Sequence, residues 1–358
     1  MRIFAFHLLN DYSGSPKVFS QLLKAWTVAN HEVHLVTCDG KSGFLSGIPS
    51  VHYGYFGYRW SANPWIRLVN LMLSQLQLLL KFWTSIRAED IIYVNTVLPF
   101  GAAVLGKLKG CRVIYHVHET SMKPLIFKRF LFGIVRWCAT DVIYVSDYLA
   151  EAEPIIGPRV HTVHNALPNT FNERAANFSK IGASRNRVLM ICSLKAYKGV
   201  FEFVALARRN PSKYFRMVLN ATEIEINNFF AETEIPSNLA LFPVQSDVHP
   251  QYQWADVVVN LSRPSEWVET FGLTIIEAMA YKLPVIAPPV GGIAELIQDG
   301  VEGYKVDCQW LSVLSQKLNM ILDEPQQYLQ MQAAAQARAS YFSEAAFVEK
   351  VAKILELK

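Results

Sequence analysis

Glu269-Thr-Phe-Gly-Leu-Thr-Ile-Ile-Glu277-Ala-Met-Ala280, with Leu283-Pro-Val-Ile-Ala-Pro-Pro-Val-Gly-Gly292 after it, is the stretch that decides the fold. Two carboxylates flank a Phe-Gly turn, ahead of a short apolar strand and a Gly-Gly loop. Leu273, Ile276, Met279 and Ala280 recur at helical spacing, which predicts a helix from Gly272 to about Tyr281. The amides of Gly272, Leu273 and Thr274 have no carbonyl partner inside such a helix, and the macrodipole places partial positive charge there. A diphosphate docked on that end satisfies both. Gly272 carries no Cβ, so a ligand can come close to the backbone. Glu277 falls about 7.5 Å further along the axis, at a distance suited to a ribose diol. Glu269 precedes the turn, where a transferred sugar would present its hydroxyls. Two glutamates alone are a coincidence found in many chains. In order with Pro284, Gly291, Gly292 and Glu295 they describe a site for a phosphorylated, hydroxyl-rich ligand, and a nucleotide sugar is one.

The 358 residues are enough for two cores, and 51% apolar with 18% charged residues is globular composition. Residues 1–170 hold 16 Lys+Arg against 10 Asp+Glu, or +6; the remainder holds 18 against 20, or −2. The basic first half suits an anionic membrane surface or acidic acceptor, but the chain lacks the strong basic stripe of a nucleic-acid binder. Cys38, Cys111, Cys138, Cys192 and Cys308 are odd in number and form no Cys-x-x-Cys pair, as expected of reduced thiols in a cytosolic protein. The opening Met1–Asp11 run reads as a first buried strand, not a leader. Residues 68–83 are greasy but broken by Asn70, Gln75, Gln77 and Lys81, short of a membrane span.

Strand and helix patterns alternate throughout, the mark of doubly wound α/β domains. Strands are expected at 2–8, 33–37, 91–95, 112–117 and 141–145, separated by helices near 15–29, 63–87, 98–108, 122–138 and 147–153. The polar stretch after Asn165-Ala-Leu-Pro-Asn169, to about Asn186, reads as the linker. A second series follows: strands 187–193, 215–219, 239–242, 256–260 and 284–287, with helices 199–210, 223–233 and 272–281. Helices at 309–322, 325–339 and 343–356 close the chain.

Three further motifs sit on strand ends. Ser193-Leu-Lys195-Ala-Tyr-Lys198-Gly199 opens the first helix of the second series, where a lysine can reach a diphosphate and supply positive charge. His116-Val-His118-Glu119 ends a first-half strand; the period of two places both imidazoles on one face, without a third metal ligand at suitable spacing. Asp11-Tyr12-Ser13-Gly14-Ser15-Pro16 follows the first strand and precedes a helix, so its backbone can meet phosphate or acceptor. Tyr53–Trp65 and Met122–Trp137 mix aromatic and basic residues, and fit either a core helix edge or an interfacial helix near a lipid-linked acceptor. No Asp-x-Asp occurs, so no metal-chelated nucleotide and no metal or other cofactor is expected.

The Glu269–Gly292 pattern resembles the donor-binding motif of retaining glycosyltransferases of family 4. The resemblance implies the α/β GT-B fold, with two Rossmann-like doubly wound domains facing an interdomain cleft. An acceptor-side domain would span 1–168, a donor domain 185–340, and a terminal helix at 341–358 would cross back to the first. It implies catalytic roles for His118, Glu269 and Lys198. Donor contacts would come from Gly14, Ser193, Lys195, Arg263, Phe271, Gly272, Leu273, Thr274, Glu277, Gly291 and Gly292. Tyr12, Ser13, Ser15 and Glu119 would face the acceptor. Ser193 stands where the family usually has Arg, with Lys195 or Arg263 as the substitute, and Ala166 replaces the usual Gly after Asn165. The implied activity is hexose transfer from a nucleotide sugar, UDP-glucose by family frequency, to a saccharide or lipid-linked acceptor. It would take place in the cytoplasm, at or near the inner membrane surface, in polysaccharide or glycolipid assembly. A catalytically silent nucleotide-sugar-binding protein and a GT-B epimerase or hydrolase are the alternatives.

Overall fold

The computed structural model describes residues 1–178 and 185–357. The chain forms two compact units, one of Met1–Asn165 with Glu344–Lys358 and one of Ala166–Ser343.

The first unit runs β1 (Arg2–Phe6), α1 (Gly14–Val28), β2 (Glu32–Cys38), β3 (Val51–Phe56), α2 (Pro64–Phe82), β4 (Ile91–Asn95), α3 (Phe100–Lys109) and β5 (Arg112–Val117). It continues through α4 (Leu125–Cys138), β6 (Asp141–Tyr144), α5 (Asp147–Ala152) and β7 (Arg159–Thr162). All strands are parallel, in the order β3-β2-β1-β4-β5-β6-β7. The central strands are covered on both faces and read as unbroken apolar runs, which is why the sequence shows them. The two edge strands were not expected. β3 and β7 are half-exposed; β3 is interrupted by His52 and Gly54 and β7 is only Arg-Val-His-Thr, so neither carries a continuous apolar run. Gly54 in β3 is needed for packing, since a Cβ there would meet the Phe82 ring at 2.9 Å.

The second unit holds α6 (Asn169–Ala176), β8 (Arg187–Cys192), α7 (Val200–Arg209), β9 (Tyr214–Leu219), α8 (Glu223–Phe229), β10 (Leu239–Phe242), α9 (His249–Trp254) and β11 (Val257–Val259). After these come α10 (Leu273–Ala280), β12 (Val285–Ala287), β13 (Gly303–Lys305), α11 (Leu311–Asp323) and α12 (Pro325–Ala339). Its parallel sheet is ordered β10-β9-β8-β11-β12-β13. The expected linker is corrected here. Residues 169–176 form α6, because Phe171 and Ala175 are buried and Phe171 packs on His249, Tyr252 and Tyr281. Residues 179–184 of that stretch lie outside the described residues. β13 and α9 were also not expected; β13 is Gly-Tyr-Lys, without the apolar run that marks β11 and β12, and α9 is six residues, too short for a helical period to show. The last helix, α13 (Glu344–Leu355), belongs to the first unit. There it packs on α1, and Arg112 ties it by donating to the Ile354 carbonyl and pairing with Glu356 at 3.3 Å.

Candidate active site

In each sheet the strand order reverses at a switch point, β1/β4 in the first unit and β8/β11 in the second. Open α/β sheets bind ligands beyond the carboxyl ends of strands at such points. The residues singled out in the sequence cluster there in both units.

In the second unit the chain leaves β8 through Ser193–Lys195, makes one tight turn over Ala196–Lys198, and enters α7 at Gly199. Gly199 has φ of +77°, and a Cβ there would lie 2.0 Å from the Leu261 carbonyl oxygen. Only glycine lets this turn press against the segment after β11. That contact sets Lys198 beside Glu269: its Nζ donates to Glu269 Oε1 at 2.5 Å and lies 5.2 Å from the Trp267 ring centre. Trp267 stacks on Tyr197 at 5.0 Å. Ser262 Oγ donates to the same carboxylate oxygen at 2.5 Å. Burial pushes the Glu269 carboxyl up, but Lys198, Ser262 and Asn260 outweigh it and hold it below the ordinary value. Glu269 therefore stays a carboxylate beside a fixed ammonium. Lys198 is 14% exposed and Glu269 17%, so both remain open to a ligand.

α10 starts at Leu273 with Gly272 as its cap, one residue later than the sequence suggested. Ile275 and Ile276 both donate to the Gly272 carbonyl. The amides of Leu273 and Thr274 thus precede the first intrahelical bond, as a phosphate site requires. Gly272 also makes room for packing: a Cβ there would meet Ile293 Cγ1 at 2.6 Å. Gly291 has φ of +96° and would drive a Cβ to 2.5 Å from the Glu269 carbonyl; Gly292 opens the turn through Leu296 that carries Ile293. Phe271 is buried against Phe342. Glu277 lies in the second turn, 5% exposed, and accepts the Tyr252 hydroxyl at 2.5 Å.

The two expected stand-ins for the family arginine have acidic neighbours of their own. Arg263 is committed to Glu202 at 2.7 Å and Glu266 at 2.9 Å. Lys195 is exposed, and its charge acts on Glu225. Neither pairs with Glu269. Lys198 is the ammonium built into the site.

In the first unit the strand ends carry a chain of polar contacts that sequence reasoning only half saw. His118 Nε2 meets Asn95 Oδ1 at 3.0 Å, and Asn95 Nδ2 meets His7 Nδ1 at 3.0 Å. His7 Nδ1 also lies 3.2 Å from the Asn95 carbonyl oxygen, so Asn95 holds the two rings through both its side-chain amide and its backbone. The His116 and His118 rings lie 4.3 Å apart, as the strand period required, and His116 Nδ1 is 2.9 Å from the Tyr93 hydroxyl. Thr96, the residue after Asn95, has φ of +73°, a strained conformation for a β-branched residue at a strand end. Glu119 turns back to accept from the backbone of Val97 and His118 at 3.3 and 3.2 Å. Ser13 caps α1 at Gly14 while its hydroxyl and amide bond Asp11, and the Ser15 carbonyl faces Asn95 Nδ2 at 3.5 Å. Tyr12 is exposed against Phe44. His7 and Asn95 lacked a signal of their own; each sits inside an apolar strand pattern, and the only hint was a polar residue at that strand's carboxyl end.

Burial pushes His7 down to about 4 and His116 to about 3, and lowers His118 well below the ordinary range, with His116 and His7 adding repulsion. Folded values below 6.5 mean this stability is present above pH 6.5 and is lost as pH falls through the folded values. His7 alone contributes about 3 kcal/mol at about 1.4 kcal/mol per unit. Glu119, pushed up to about 7 by burial, acts oppositely: its share is present below 4.5 and lost as pH rises through about 7. Three imidazoles outweigh one carboxyl. Urea unfolding midpoints are expected to fall between pH 6.5 and 5, and a flat profile there would refute the neutral-histidine arrangement.

Parallel sheets of seven and six strands, each wound about its own switch point, constitute the GT-B architecture. The family "Glycosyl transferases group 1" matches residues 172–338, and "Glycosyltransferase Family 4" matches residues 12–170. The EpsD protein of Bacillus subtilis is 30% identical over 296 residues, covering 74% of this chain and 76% of that one. The chain belongs to glycosyltransferase family 4. The D-inositol 3-phosphate glycosyltransferase of Streptomyces griseus is 30% identical over 189 residues, 49% of this chain, of which the match spans only 40% of that protein's length. HepE of Anabaena, solved with UDP and glucose, shares the fold across 100% of both chains at 18% identity, with a TM-score of 0.81.

Proposed function

We propose that the chain is a metal-independent retaining glycosyltransferase that moves a hexose from a nucleotide sugar to a saccharide or lipid-linked saccharide. The observation that carries this reading is the Lys198–Glu269 pair set beside the free amides of α10. The helix end and Lys198 take the donor diphosphate, and Glu277 takes the ribose. Glu269 accepts hydrogen bonds from the sugar, and His118, held by Asn95 in the first unit, is the proposed catalytic histidine. The positive charge that a metal supplies in other sites comes here from Lys198 and the helix dipole. The donor phosphate leaves with its electron pair held by these groups, and takes the proton of the incoming hydroxyl on the same face. UDP-glucose is the favoured donor, since HepE was also solved with UDP-glucose. Assembly of a polysaccharide or glycolipid at the cytoplasmic face of a membrane is the proposed setting.

The test is incubation with several nucleotide sugars, with and without chelator, read by thermal shift and nucleotide release. A saturating donor at about a hundred times Kd is expected to stabilise by about 2.7 kcal/mol. Nucleotide release should need an acceptor and withstand the chelator. Binding without turnover on any acceptor would favour the silent reading.

A further inference from the structure

α2, α3 and α4 lie side by side in the first unit, with α3 in contact with both neighbours. Gly101 and Gly106 let α3 sink: a Cβ at Gly101 would lie 2.5 Å from the Gln75 carbonyl of α2, and one at Gly106 2.8 Å from Ile92. α2 presents its faces in an unusual way. Ser74 and Gln75 are buried with Leu71 and Leu78, while Trp65, Ile66, Val69, Leu73, Leu76 and Leu80 point to solvent. That outward set recurs every three or four residues, so it is one continuous stripe. Trp65 is 77% exposed and Leu80 66%. α4 repeats the arrangement, with Ile126, Phe130 and Trp137 exposed among Arg129 and Arg136. An apolar surface of this extent on a folded chain marks an interaction site.

Charge identifies the occupant. The three helices carry Arg67, Lys81, Lys107, Lys109, Arg129 and Arg136, besides Lys128, which is paired with Glu153, and not one Asp or Glu. Lys109 caps the Trp83 ring at 4.5 Å, and Arg67 lies 5.9 Å from the Trp60 ring, so cations stand beside tryptophans along α2. Indoles interleaved with cations around an aliphatic stripe suit a bilayer interface with anionic headgroups. A second copy of the same face would set cation against cation. Among the described residues no helix is long and apolar enough to cross a membrane, so the face lies on a bilayer and does not span it. We infer that the α2–α4 face docks on an anionic lipid bilayer. This deepens the lipid-linked acceptor reading, but is read without donor or acceptor and so fails independently of it.

The experiment is flotation of the full chain with phosphatidylcholine vesicles, with and without 30% phosphatidylglycerol as a chosen probe composition. Binding is expected with the anionic vesicles and at least about tenfold weaker on neutral ones. Ile66→Ser with Leu73→Ser, and separately Arg129→Glu with Arg136→Glu, should each lower partition about tenfold or more. The unfolding midpoint and the nucleotide-sugar thermal shift should stay unchanged, since these side chains are exposed and lie outside the candidate site. No binding to anionic vesicles would overturn the inference. So would unaltered binding by both variants, or a lipid-free dimer in sedimentation that the serine variant abolishes.

Discussion

Lys198→Ala is expected to lower turnover about a hundred- to a thousandfold, the loss seen when one preorganised charge-stabilising donor is removed. The ammonium is fixed before any ligand arrives. Glu269 holds its Nζ at 2.5 Å, the Trp267 ring lies 5.2 Å away, and the Gly199 turn against Leu261 leaves the backbone no slack. Charge developing on a leaving phosphate would meet a donor that needs no reorganisation. The substitution has a second consequence. Glu269 sits below its ordinary value only because Lys198, Ser262 and Asn260 overcome its burial. Without the lysine its carboxyl should titrate higher. Stability from a depressed carboxyl is present above its unfolded value, near 4.5, and is lost as pH falls through the folded value. The variant should therefore lose the part that Lys198 supplies, and the acid limb of any residual activity should move to higher pH. Lys198→Ala with unchanged turnover and an unmoved acid limb would remove Lys198 from the reaction. Glu269→Gln is the companion variant, keeping an acceptor for Lys198 while deleting the charge.

The part of this site that lies within one short segment was legible in the sequence. A helix end suited to phosphate needs a turn and free first-turn amides, hydroxyl-binding carboxylates can flank it, and Glu269 to Glu277 carries both in order. What the segment meets was not legible. Ser262 and Asn260 reach Glu269 from the loop after β11, and Tyr252 reaches Glu277 from a six-residue helix; neither contact leaves a spacing signature. Gly272 has a second constraint that the segment alone does not show. Its missing Cβ makes room for Ile293, a constraint visible only once Gly292–Leu296 is folded over the helix. Asn95 is the clearest case of hidden function. In sequence it ends a buried strand, but in space its amide joins His7 to His118.

The same logic separates fold signals that survive from those that do not. β1, β4 and β5 announce themselves because both faces are buried and the whole strand must be apolar. β3 and β7 lie at sheet edges, where polar side chains are tolerated and even favoured, so pattern alone passes over them. On α2 the apolar and polar positions are exchanged: Leu73, Leu76 and Leu80 face solvent, while Gln75 lies inside and accepts the Gly101 amide at 3.0 Å.

Glu277→Ala is expected to weaken nucleotide-sugar binding about ten- to a hundredfold, since a hydrogen bond to a charged group is worth about 1.5–3 kcal/mol. The complication is Tyr252, whose buried hydroxyl donates to Glu277 Oε2 at 2.5 Å and would lose that acceptor. An orphaned buried hydroxyl costs about 1–3 kcal/mol of stability. A fall in donor affinity can then arise from a loosened α9–α10 contact instead of a lost ribose contact. Tyr252→Phe distinguishes the two causes. It removes the same internal hydrogen bond but leaves the carboxylate on α10, and the ring keeps its stacking on Tyr281 at 5.7 Å. If Glu277 holds the ribose, Tyr252→Phe should bind donor within a few-fold of the parent while Glu277→Ala does not. The contrast should appear in the thermal shift produced by a nucleoside diphosphate alone, which contains the ribose but not the transferred hexose. Equal losses in both variants would reduce Glu277 to a structural partner of Tyr252, and leave the helix end and Lys198 as the donor site.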